Sequence, residues 1–524
     1  MNKLGFDKWI VVITVVTASL LQLIDTSIVN VTLTQMMGNL GCTLADISWV
    51  VTGYTTSNVI MITLSGWMSA RMGRKNYFIA SIVLFTVASI FCGTSTTITQ
   101  LIIFRIIQGI GGGGLLSTAQ SILITTFPRE DIGMANAIFG IGVIVGPTIG
   151  PTLGGYLTDH LSWHWVFFVN VPVGIVATIL SLLYITEGEH QVKAGKMDWF
   201  ALALLVSFIG CLQVVLEKGE SEDWFETRYI TVLTVTSIVS GIIFVWRELW
   251  VDNPIVNLRL FKERNFALGS VFGFIQGVGL YASVFIIPVF CQSMLGYTAQ
   301  DTGWILMPGS LASGIMMPFV GAMLRNEKIS PVFLTGIGFT LFIVFMWLLS
   351  GINLNTTAMD FFWPLIIRGI GMGLLFIPLT TITVNKLHNR DMPQGTALSN
   401  MLRQLGGSFG IALMTTAVSI RSLFHYSRLG EHQTIYNPGT FNRLHSLGGL
   451  FAGVKGTNVI NDQSKAIAAL QGEVYRQAMI LTYNDVFLLV GIFFAVCIPL
   501  LLLFRVKKKQ KEAGAKEMEM VVEM

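Results

Sequence analysis

The sequence predicts an all-α membrane protein with fourteen transmembrane helices, arranged as two six-helix halves with two further helices between them. Three observations predict this class: 53% of the 524 residues are hydrophobic, only 12% are charged, and the charged residues cluster between long apolar runs. An ordinary soluble domain carries roughly 25% charged residues, and a membrane-spanning helix needs about 20 apolar residues. The apolar runs are continuous rather than alternating, which excludes a β-barrel.

The apolar runs give the spans in order. The first run follows "MNKLGFDK" directly and is longer than the apolar part of a signal peptide, so we expect it to be retained. The predicted spans are 9–31, 47–69, 77–97, 99–126, 133–157, 163–185, 197–216, 229–247, 266–291, 302–324, 331–351, 360–384, 395–420 and 483–505. They divide the chain into an N-terminal six-helix half (1–190), two additional central helices (191–258), a C-terminal six-helix half (259–506) with a long loop at about 421–480, and a tail (507–524).

Lysine and arginine residues predict the orientation of these spans. The short loops on one side of the membrane are rich in them, whereas the short loops on the other side hold only Lys218 and Arg228. Short loops rich in Lys and Arg face the cytoplasm, and an even number of spans places both termini on that side. The 421–480 loop then lies outside. The net charge of +4 reflects this bias rather than a nucleic-acid partner.

Two pairs of segments indicate an internal repeat. "LIIFRIIQGIGGGGLL" (101–116) is similar to "PLIIRGIGMGLL" (364–375), since both place an Arg shortly before a glycine cluster. In each half a loop and a second glycine-rich span follow, "REDIGMANAIFGIGVIVGPTIG" (129–150) and "NRDMPQGTALSNMLRQLGGSFG" (389–410). Matched spans run in the same direction, which predicts a parallel repeat. Transporters commonly bind their substrate between such halves.

Two charged residues inside predicted spans are candidates for proton coupling, Asp25 and Arg105. Asp25 is the only charged residue between Trp9 and Val31, at about 24 Å along the helix from Trp9, and charges at membrane depth are kept mostly for function. A carboxyl group can carry a proton, whereas an arginine stays charged, so Arg105 would act electrostatically. The alternatives are a hydrated or structurally paired Asp25, and an Arg105 that extends to the membrane interface.

Two glycine-containing motifs predict close helix packing and a basic turn. In "GVIVGPTIGPTLGG" (142–155), prolines that remove backbone donors stand among glycines that admit a neighbouring helix. This pattern predicts a bent gate or hinge helix, with plain packing as the alternative, and its residues are Gly146, Pro147, Gly150, Pro151, Gly154 and Gly155. In "GWMSARMGRKN" (66–76), the cytoplasmic loop motif consists of Gly66, Gly73, Arg74 and Lys75, for which membrane anchoring is the alternative.

Four polar residues inside spans are candidates for a substrate cavity: Gln22, Gln108, Arg368 and Arg403. Together with Arg105, the spans hold three arginines against one aspartate deep in a span. A cavity with that charge balance should not favour dications, so lipophilic weak acids or neutral amphipaths are the expected substrates. If the arginines face other helices and brace their packing, this expectation is lost.

The sequence carries no constellation of enzymatic residues. It has no G-x-x-x-x-G-K-[ST] loop, and "GIGGGG" lies within a span after an Arg, so ATP does not drive this chain directly. The five cysteines are scattered and form no CxxC metal pair. His160 and His164 are more typical of a membrane-edge aromatic belt than of metal ligands. We therefore expect no enzymatic activity, no cofactor and no metal.

Together these motifs resemble the major facilitator superfamily, specifically its fourteen-span drug:proton antiporters of the EmrB/QacA type, and most closely the EmrB branch. "LIDTSIVNVTL" is similar to the first-span signature of that family, "RIIQGIGGGG" to its fourth-span motif and "GVIVGPTIGPTLGG" to its fifth-span antiporter motif. "DNPIVNLRLFKERNF" and "FIPLTTITV" resemble the EmrB branch. One departure is Ala70, where the family usually has an Asp, so the charge-relay role of that acid is not carried over.

The resemblance implies a multidrug efflux antiporter that uses the proton gradient across a bacterial inner membrane to export lipophilic compounds. It implies that Asp25 is the protonatable acid and Arg105 the arginine linked to it. It also implies a periplasmic adaptor and an outer-membrane channel as partners, with the 421–480 loop either contacting the adaptor or simply capping the protein. Two other functions stay open: a dedicated transporter of a metabolite, lipid or siderophore, and a non-transporting membrane sensor or enzyme.

Overall fold

The computed structural model describes residues 6–128, 131–187, 195, 197–325, 329–434, 436–452 and 459–504. Within these residues all regular secondary structure is helical. The α-helices are α1 (Phe6–Leu40), α2 (Leu44–Met72), α3 (Arg74–Gly93), α4 (Ile98–Thr126), α5 (Ile132–His160), α6 (Trp165–Phe168), α7 (Asn170–Tyr184), α8 (Trp199–Lys218), α9 (Arg228–Trp250), α10 (Arg264–Ser293), α11 (Ala299–Arg325), α12 (Pro331–Leu349), α13 (Ala358–Val384), α14 (Met392–Glu431), α15 (Pro438–Ala452) and α16 (Val459–Cys497). The predicted tail, 507–524, lies outside the described residues.

Among the described residues, thirteen helical segments are long and apolar enough to cross a membrane, and the chain is a multi-pass membrane protein. The prediction of fourteen spans also includes α2, which is 29 residues long but is not one of the thirteen. Its "GYTTSN" segment and further Thr and Ser residues lower its hydropathy. α2 nevertheless packs between α4 and α14 inside the bundle, where its Thr52 and Asn58 are buried.

Two predicted spans differ in whether their helix is continuous. The sixth span, 163–185, is divided into α6 and α7, which meet at Val169. In contrast, α5 continues without interruption through Pro147 and Pro151. The glycine-proline motif therefore lies on one continuous helix.

The same helix contacts occur in both halves of the chain, as a parallel repeat requires. In the first half α1 packs on α5, α2 and α3 pack on α4, and α7 packs on α3. In the second half α10 packs on α14, α11 and α12 pack on α13, and α16 packs on α12. The segments matched in the sequence therefore lie in equivalent helices, α4 with α13 and α5 with α14.

The two halves meet along two related seams, one between α5 and α11 and the other between α2 and α14. At one end of the first seam, a Cβ on Gly133 would lie 3.4 Å from the Gly321 carbonyl oxygen, and towards the other end Gly303 packs on Thr152. α8 and α9 pack on each other, and α8 also contacts α2 and α14. α8 thus covers the second seam, and α9 packs on α8.

The segment predicted as a long loop, 421–480, is largely helical, which corrects that prediction. α14 continues to Glu431, α15 follows, and α16 begins at Val459. At 1.5 Å per residue the 40 residues of α14 measure about 60 Å, roughly twice the 30 Å hydrocarbon core of a bilayer. α16 packs on both α14 and α15, and Arg443 Nε of α15 donates to Glu473 Oε2 of α16 at 3.1 Å. We call residues 421–480 the helical extension.

Candidate functional site

Asp25 lies within α1 and is completely buried among helices of the first half. Its Oδ2 accepts a hydrogen bond from Arg105 Nη1 of α4 at 2.6 Å, so the two residues form a buried ion pair. Gln108 Nε2 of α4 and Asn170 Nδ2 of α7 each donate to Oδ1 at 2.9 Å. Three side-chain donors from two other helices therefore hold this carboxylate.

Arg105 has partners on several sides. Its Nη1 also donates to Gln108 Oε1 at 2.7 Å, and its Nε donates to the Val50 carbonyl oxygen at 3.3 Å. The guanidinium carbon lies 3.9 Å from the centroid of the Tyr54 ring, a favourable cation–π distance. Because Arg105 is only 1% exposed, it does not extend to the membrane interface.

Ser89 of α3 connects the donors that surround Asp25. Its Oγ accepts hydrogen bonds from Gln108 Nε2 at 3.2 Å and from Asn170 Nδ2 at 3.1 Å, and it donates to the Phe167 carbonyl oxygen at 2.9 Å. Neither Ser89 nor Asn170 was predicted from the sequence. The available signal for Asn170 was an amide inside the apolar "VFFVNVP" run, at the break between α6 and α7. We call Asp25, Ser89, Arg105, Gln108 and Asn170 the Asp25 cluster.

Asp25 and Arg105 balance each other's charge inside the cluster. Removing the charge of one partner in a buried ion pair leaves the other charge uncompensated, at a cost of about 3–5 kcal/mol. A proton on Asp25 would therefore weaken its bond to Arg105 and favour a movement of α1 relative to α4. This arrangement can couple the binding of a proton to the position of a helix.

The glycine face of α5 packs directly on the part of α1 that carries Asp25. A Cβ added at Gly146 would lie 2.7 Å from Leu23 Cβ, and one added at Gly150 would lie 2.8 Å from Ser27 Cβ. These distances are too short for a larger residue without movement of α1. Gly154 makes a similar contact further along α1, so the antiporter-like motif holds α5 close to the proton-coupling candidate.

Another face of α5 contacts the second half of the protein. Ser310 Oγ of α11 donates to Thr148 Oγ1 at 2.7 Å. Pro147 and Gly155 are buried in α5, whereas Pro151 is partly buried. α5 thus lies between the Asp25 region of α1 and the α5–α11 seam.

The glycines of the predicted loop motif lie at two close contacts. A Cβ at Gly66 would lie 2.8 Å from Gln394 Cα, so Gly66 allows α2 and α14 to touch at the second seam. Gly73 joins α2 to α3 with a φ of +87°, a conformation that favours glycine. The Glu187 carboxylate lies beside the Gly73 Cα.

Arg74 and Lys75 connect this turn to other helix ends of the first half. Arg74 Nη1 donates to Thr125 Oγ1 near the end of α4 at 2.8 Å. Lys75 Nζ donates to the Leu182 carbonyl oxygen near the end of α7 at 2.8 Å. The motif therefore forms specific contacts between helices.

Arg403 of α14 lies at the interface between the halves and is 4% exposed. Its Nη1 donates to Asn400 Oδ1 at 3.1 Å, and Asn400 Nδ2 donates to Gln120 Oε1 of α4, in the other half, at 2.8 Å. Its guanidinium carbon lies 4.5 Å from the centroid of the Phe376 ring. Its buried Nε has no hydrogen-bond partner among the described residues.

The other three residues predicted for a substrate cavity lie in different surroundings. Gln108 belongs to the Asp25 cluster. Arg368 is 4% exposed, and no described residue forms a hydrogen bond or ion pair with it. Gln22 Nε2 donates to Asn58 Oδ1 at 3.2 Å, but Gln22 Oε1 and Asn58 Nδ2 are buried without partners in the described part of the chain.

A further acidic residue, Glu217, lies at the second seam and was not predicted. Its Oε1 accepts hydrogen bonds from Thr55 Oγ1 of α2 at 3.1 Å and from Gln213 Nε2 of α8 at 3.0 Å. Gln213 Nε2 also donates to Ser408 Oγ of α14 at 2.7 Å. The predicted span ended at residue 216, which assigned Glu217 to a loop and concealed its contact with α2 and, through Gln213, its link to α14.

Comparison with known proteins agrees with this architecture. A model of the Major Facilitator Superfamily matches residues 15–411. The chain belongs to this superfamily. The resemblance to EmrB-type major facilitator proteins is also confirmed: the multidrug export protein EmrB of Escherichia coli (strain K12) is 33% identical over 491 residues, which cover 92% of each chain.

One further relative of this major facilitator protein and one solved structure with a similar fold differ in what their names describe. The fatty acid resistance protein FarB of Neisseria gonorrhoeae is 30% identical over 486 residues, which cover 92% of this chain and 93% of that protein. The crystal structure of the human organic anion transporter MFSD10 covers 93% of this chain and 99% of its own, with a TM-score of 0.56 and 12% identity. At that identity the likeness concerns the major facilitator fold alone.

Proposed function

We propose that this protein is a proton-coupled antiporter that exports small lipophilic compounds across a bacterial inner membrane, with both termini in the cytoplasm. The observation that carries the proposal is the buried ion pair between Asp25 and Arg105, directly beneath the glycine face of α5. A carboxylate in this position can take up and release a proton. Its neighbours convert that change of charge into a change of helix packing.

The path from Asp25 to the interface between the halves is short. A proton on Asp25 removes the charge that holds Arg105 Nη1, which loosens α1 from α4. Ser27, two residues further along α1, packs on Gly150 of α5, and Thr148 of α5 bonds to Ser310 of α11. A shift of α1 therefore reaches the α5–α11 seam across a single helix. Rocking of two halves about a central substrate is the usual transport movement of such repeats.

The relatives support a small lipophilic substrate, since one is named for multidrug export and another for fatty acid resistance. We assign the helical extension to contact with a periplasmic adaptor and, through it, an outer-membrane channel. A cavity of about 600 Å³ lies between α14, α15 and α16, and its lining combines apolar Leu429 and Leu470 with charged Arg443 and Glu473. A mixed surface of this kind suits a protein partner.

A dedicated exporter of a lipid or other metabolite is the second candidate, because FarB is named for resistance to one class of compound. A panel of chemically unrelated lipophilic compounds separates the two functions. A multidrug transporter is expected to move several members of the panel, whereas a dedicated exporter is expected to move one class alone.

The central test is transport in inverted membrane vesicles under an imposed proton gradient, with the wild type beside Asp25→Asn. We expect gradient-driven uptake of a lipophilic probe in the wild type and its loss in the variant, with normal expression and normal probe binding. Asp198→Asn, which changes a carboxylate in a loop, is the matched control and should transport like the wild type. Equal gradient-driven uptake by Asp25→Asn would exclude Asp25 as the proton carrier.

A further inference from the structure

The guanidinium of Arg403 is a buried charge that the described protein does not balance. Its one hydrogen-bond partner is the neutral Asn400, and none of the described carboxylates forms an ion pair with it. A charge buried in a protein without a partner is strongly unfavourable, and charged residues at membrane depth are normally paired or line the path of a substrate or ion. The ion pair with Asp25 explains why Arg105 can be buried, whereas no described residue explains the burial of Arg403 in this way.

The free part of this guanidinium has a defined shape. Nη1 is held by Asn400, whereas Nε has no partner and Nη2 makes no hydrogen bond with a described residue. The edge formed by Nε and Nη2 presents two parallel N–H donors, the geometry that binds both oxygens of a carboxylate. Phe376, stacked on the guanidinium, restricts the orientation of that edge.

Arg403 is placed where a substrate between the halves would meet it. Asn400 connects it to Gln120 of the first half at 2.8 Å. Phe376, beneath the guanidinium, lies 6.4 Å between ring centroids from Phe139 of α5. The charged group and two buried aromatic rings therefore lie together at the interface, which matches a molecule with an anionic head and an apolar body.

Other unsatisfied polar groups lie on α10, beside Arg403. Both polar atoms of the Gln276 side chain on α10 are buried without partners among the described residues, and the adjacent Gly277 packs on the Arg403 backbone. Buried polar groups are nearly always hydrogen-bonded, so the unsatisfied Gln276, next to the residue that packs on Arg403, adds a second polar side chain without a partner in this region.

We propose that Arg403 binds the head group of the exported substrate, and that the preferred substrates are amphipathic organic anions with a carboxylate or similar head and an apolar tail. This inference rests on the proposed export function, since it names the substrate class of that transporter. The Nε–Nη2 edge of Arg403 binds the anionic head, and Phe376 and Phe139 contact the apolar part next to it.

The test uses the full chain in lipid nanodiscs and three ligands with the same twelve-carbon chain: dodecanoate, dodecanol and dodecyltrimethylammonium. Radiolabelled dodecanoate is bound at equilibrium with the others as competitors, and empty nanodiscs give the background. A hydrogen-bonded charge contact is worth about 1.5–3 kcal/mol, so Arg403→Gln should weaken dodecanoate binding by about tenfold or more. Competition by dodecanol should change by less than about twofold, because it lacks the charge.

Arg403→Lys keeps the charge but loses the two-donor edge, so its affinity for dodecanoate should lie between those of the wild type and Arg403→Gln. Unchanged dodecanoate binding by Arg403→Gln would overturn the inference, and so would an equal loss of all three ligands, which would indicate a packing role. A wild type that prefers the trimethylammonium ligand would overturn it as well.

A second measurement separates this inference from the proposed function. Gradient-driven uptake of a neutral lipophilic probe is followed in inverted vesicles for the wild type and Arg403→Gln. If the wild type transports the probe but binds dodecanoate no better than dodecanol, export stands and the anion site fails. If the wild type binds dodecanoate through Arg403 but no probe or anion moves under a gradient, the export proposal fails.

Discussion

The two halves of this protein each bury arginine, but they treat its charge differently. In the first half, Arg105 bonds to Asp25, Gln108 and the Val50 carbonyl, and its ion pair lies wholly among helices of that half. In the second half, Arg403 bonds to Asn400, whose other partner is Gln120 of the opposite half. The first charge is neutralised inside its own half, whereas no described carboxylate pairs with the second, at the surface between the halves.

In the proposed function, the two charges have two different tasks. A charge already paired inside one half responds to a proton on its partner, whereas an unpaired charge between the halves is available to a ligand. At the offset of 260 residues that aligns Gly109 with Gly369, Leu365 stands where the first half has Arg105.

Among these substitutions, Asp25→Asn should have the largest effect on transport. The rate of gradient-driven uptake in inverted vesicles should fall by about 100-fold, equivalent to about 2.7 kcal/mol in the barrier. The substitution also leaves Arg105 without its counter-charge, so purified protein should lose about 3–5 kcal/mol of stability, measured by thermal unfolding. Adding Arg105→Gln should recover much of that stability but no transport. A double variant that transports like the wild type would contradict the role of the pair.

Replacing each arginine with lysine tests whether Arg105 and Arg403 contribute differently to transport. Arg105 reaches Asp25 and Gln108 from Nη1 and the Val50 carbonyl from Nε, a planar arrangement that a lysine cannot reproduce. Arg105→Lys should therefore slow gradient-driven uptake by about tenfold or more, whereas Arg403→Lys should slow it by about threefold. Initial uptake rates at matched expression measure both. The reverse order would mean that the unpaired charge, rather than the pair, controls proton coupling.

Glycines at equivalent positions test whether the Asp25 cluster depends on the contact of α5 with α1, and Arg403 on the contact of α14 with α10. Gly150→Ala forces α5 against Ser27, and such overpacking costs about 1–3 kcal/mol, so gradient-driven uptake should fall by several-fold. Gly410→Ala, the equivalent in α14, meets the Val278 carbonyl oxygen at 2.7 Å and should weaken dodecanoate binding more than proton coupling.

The matched control is Gly142→Ala on α5, since its Cβ would meet no atom closer than 3.8 Å. It should leave uptake and binding unchanged. A similar loss in Gly142→Ala and Gly150→Ala would show that flexibility of α5, rather than its contact with α1, is what the substitution disturbs.

The smallest effect is expected from an ion pair outside the membrane. Asp198, before α8, accepts hydrogen bonds from Arg247, and this contact holds the pKa of Asp198 below its ordinary value of 3.8. A lowered pKa stabilises the fold above the unfolded-state pKa and is lost as the pH falls through the folded-state value. Asp198→Asn should therefore cost about 0.2–1 kcal/mol at pH 7 and less below pH about 3.8, measured by thermal unfolding across pH. A loss of stability as large as that of Asp25→Asn would show that ion pairing, rather than burial, determines how much an acidic residue contributes to stability.

Sequence alone identified Asp25 and Arg105 because each stands as an isolated charge in an apolar run. Ser89 and Asn170 escaped notice because small polar residues occur throughout these spans, and only packing brings these two to the carboxylate. Gln108 was assigned to the substrate cavity, although its spacing of three residues from Arg105 places both on one helix face. That spacing was sufficient to predict their contact.

The fold was more accessible to sequence than the site, because long apolar runs and a repeated order of motifs survive without knowledge of contacts. The helical extension was missed because hydropathy detects membrane spans rather than helices. Its segment "SKAIAALQGEVYRQAMIL" (464–481) contains several Ala, Leu and Gln residues, which favour helix. Helix propensity was therefore the signal that could have corrected the prediction.

The unbalanced guanidinium of Arg403 also bears on how the membrane potential acts on this protein. An anion that leaves the cell while a proton enters moves two charges in the same electrical sense. One charge crossing 100 mV is worth about 2.3 kcal/mol, so exchange of one proton for one monoanion would draw about 4.6 kcal/mol from that potential. A neutral substrate would draw half as much, and a monovalent cation none. Voltage would then favour export of acids even where the pH on the two sides is equal.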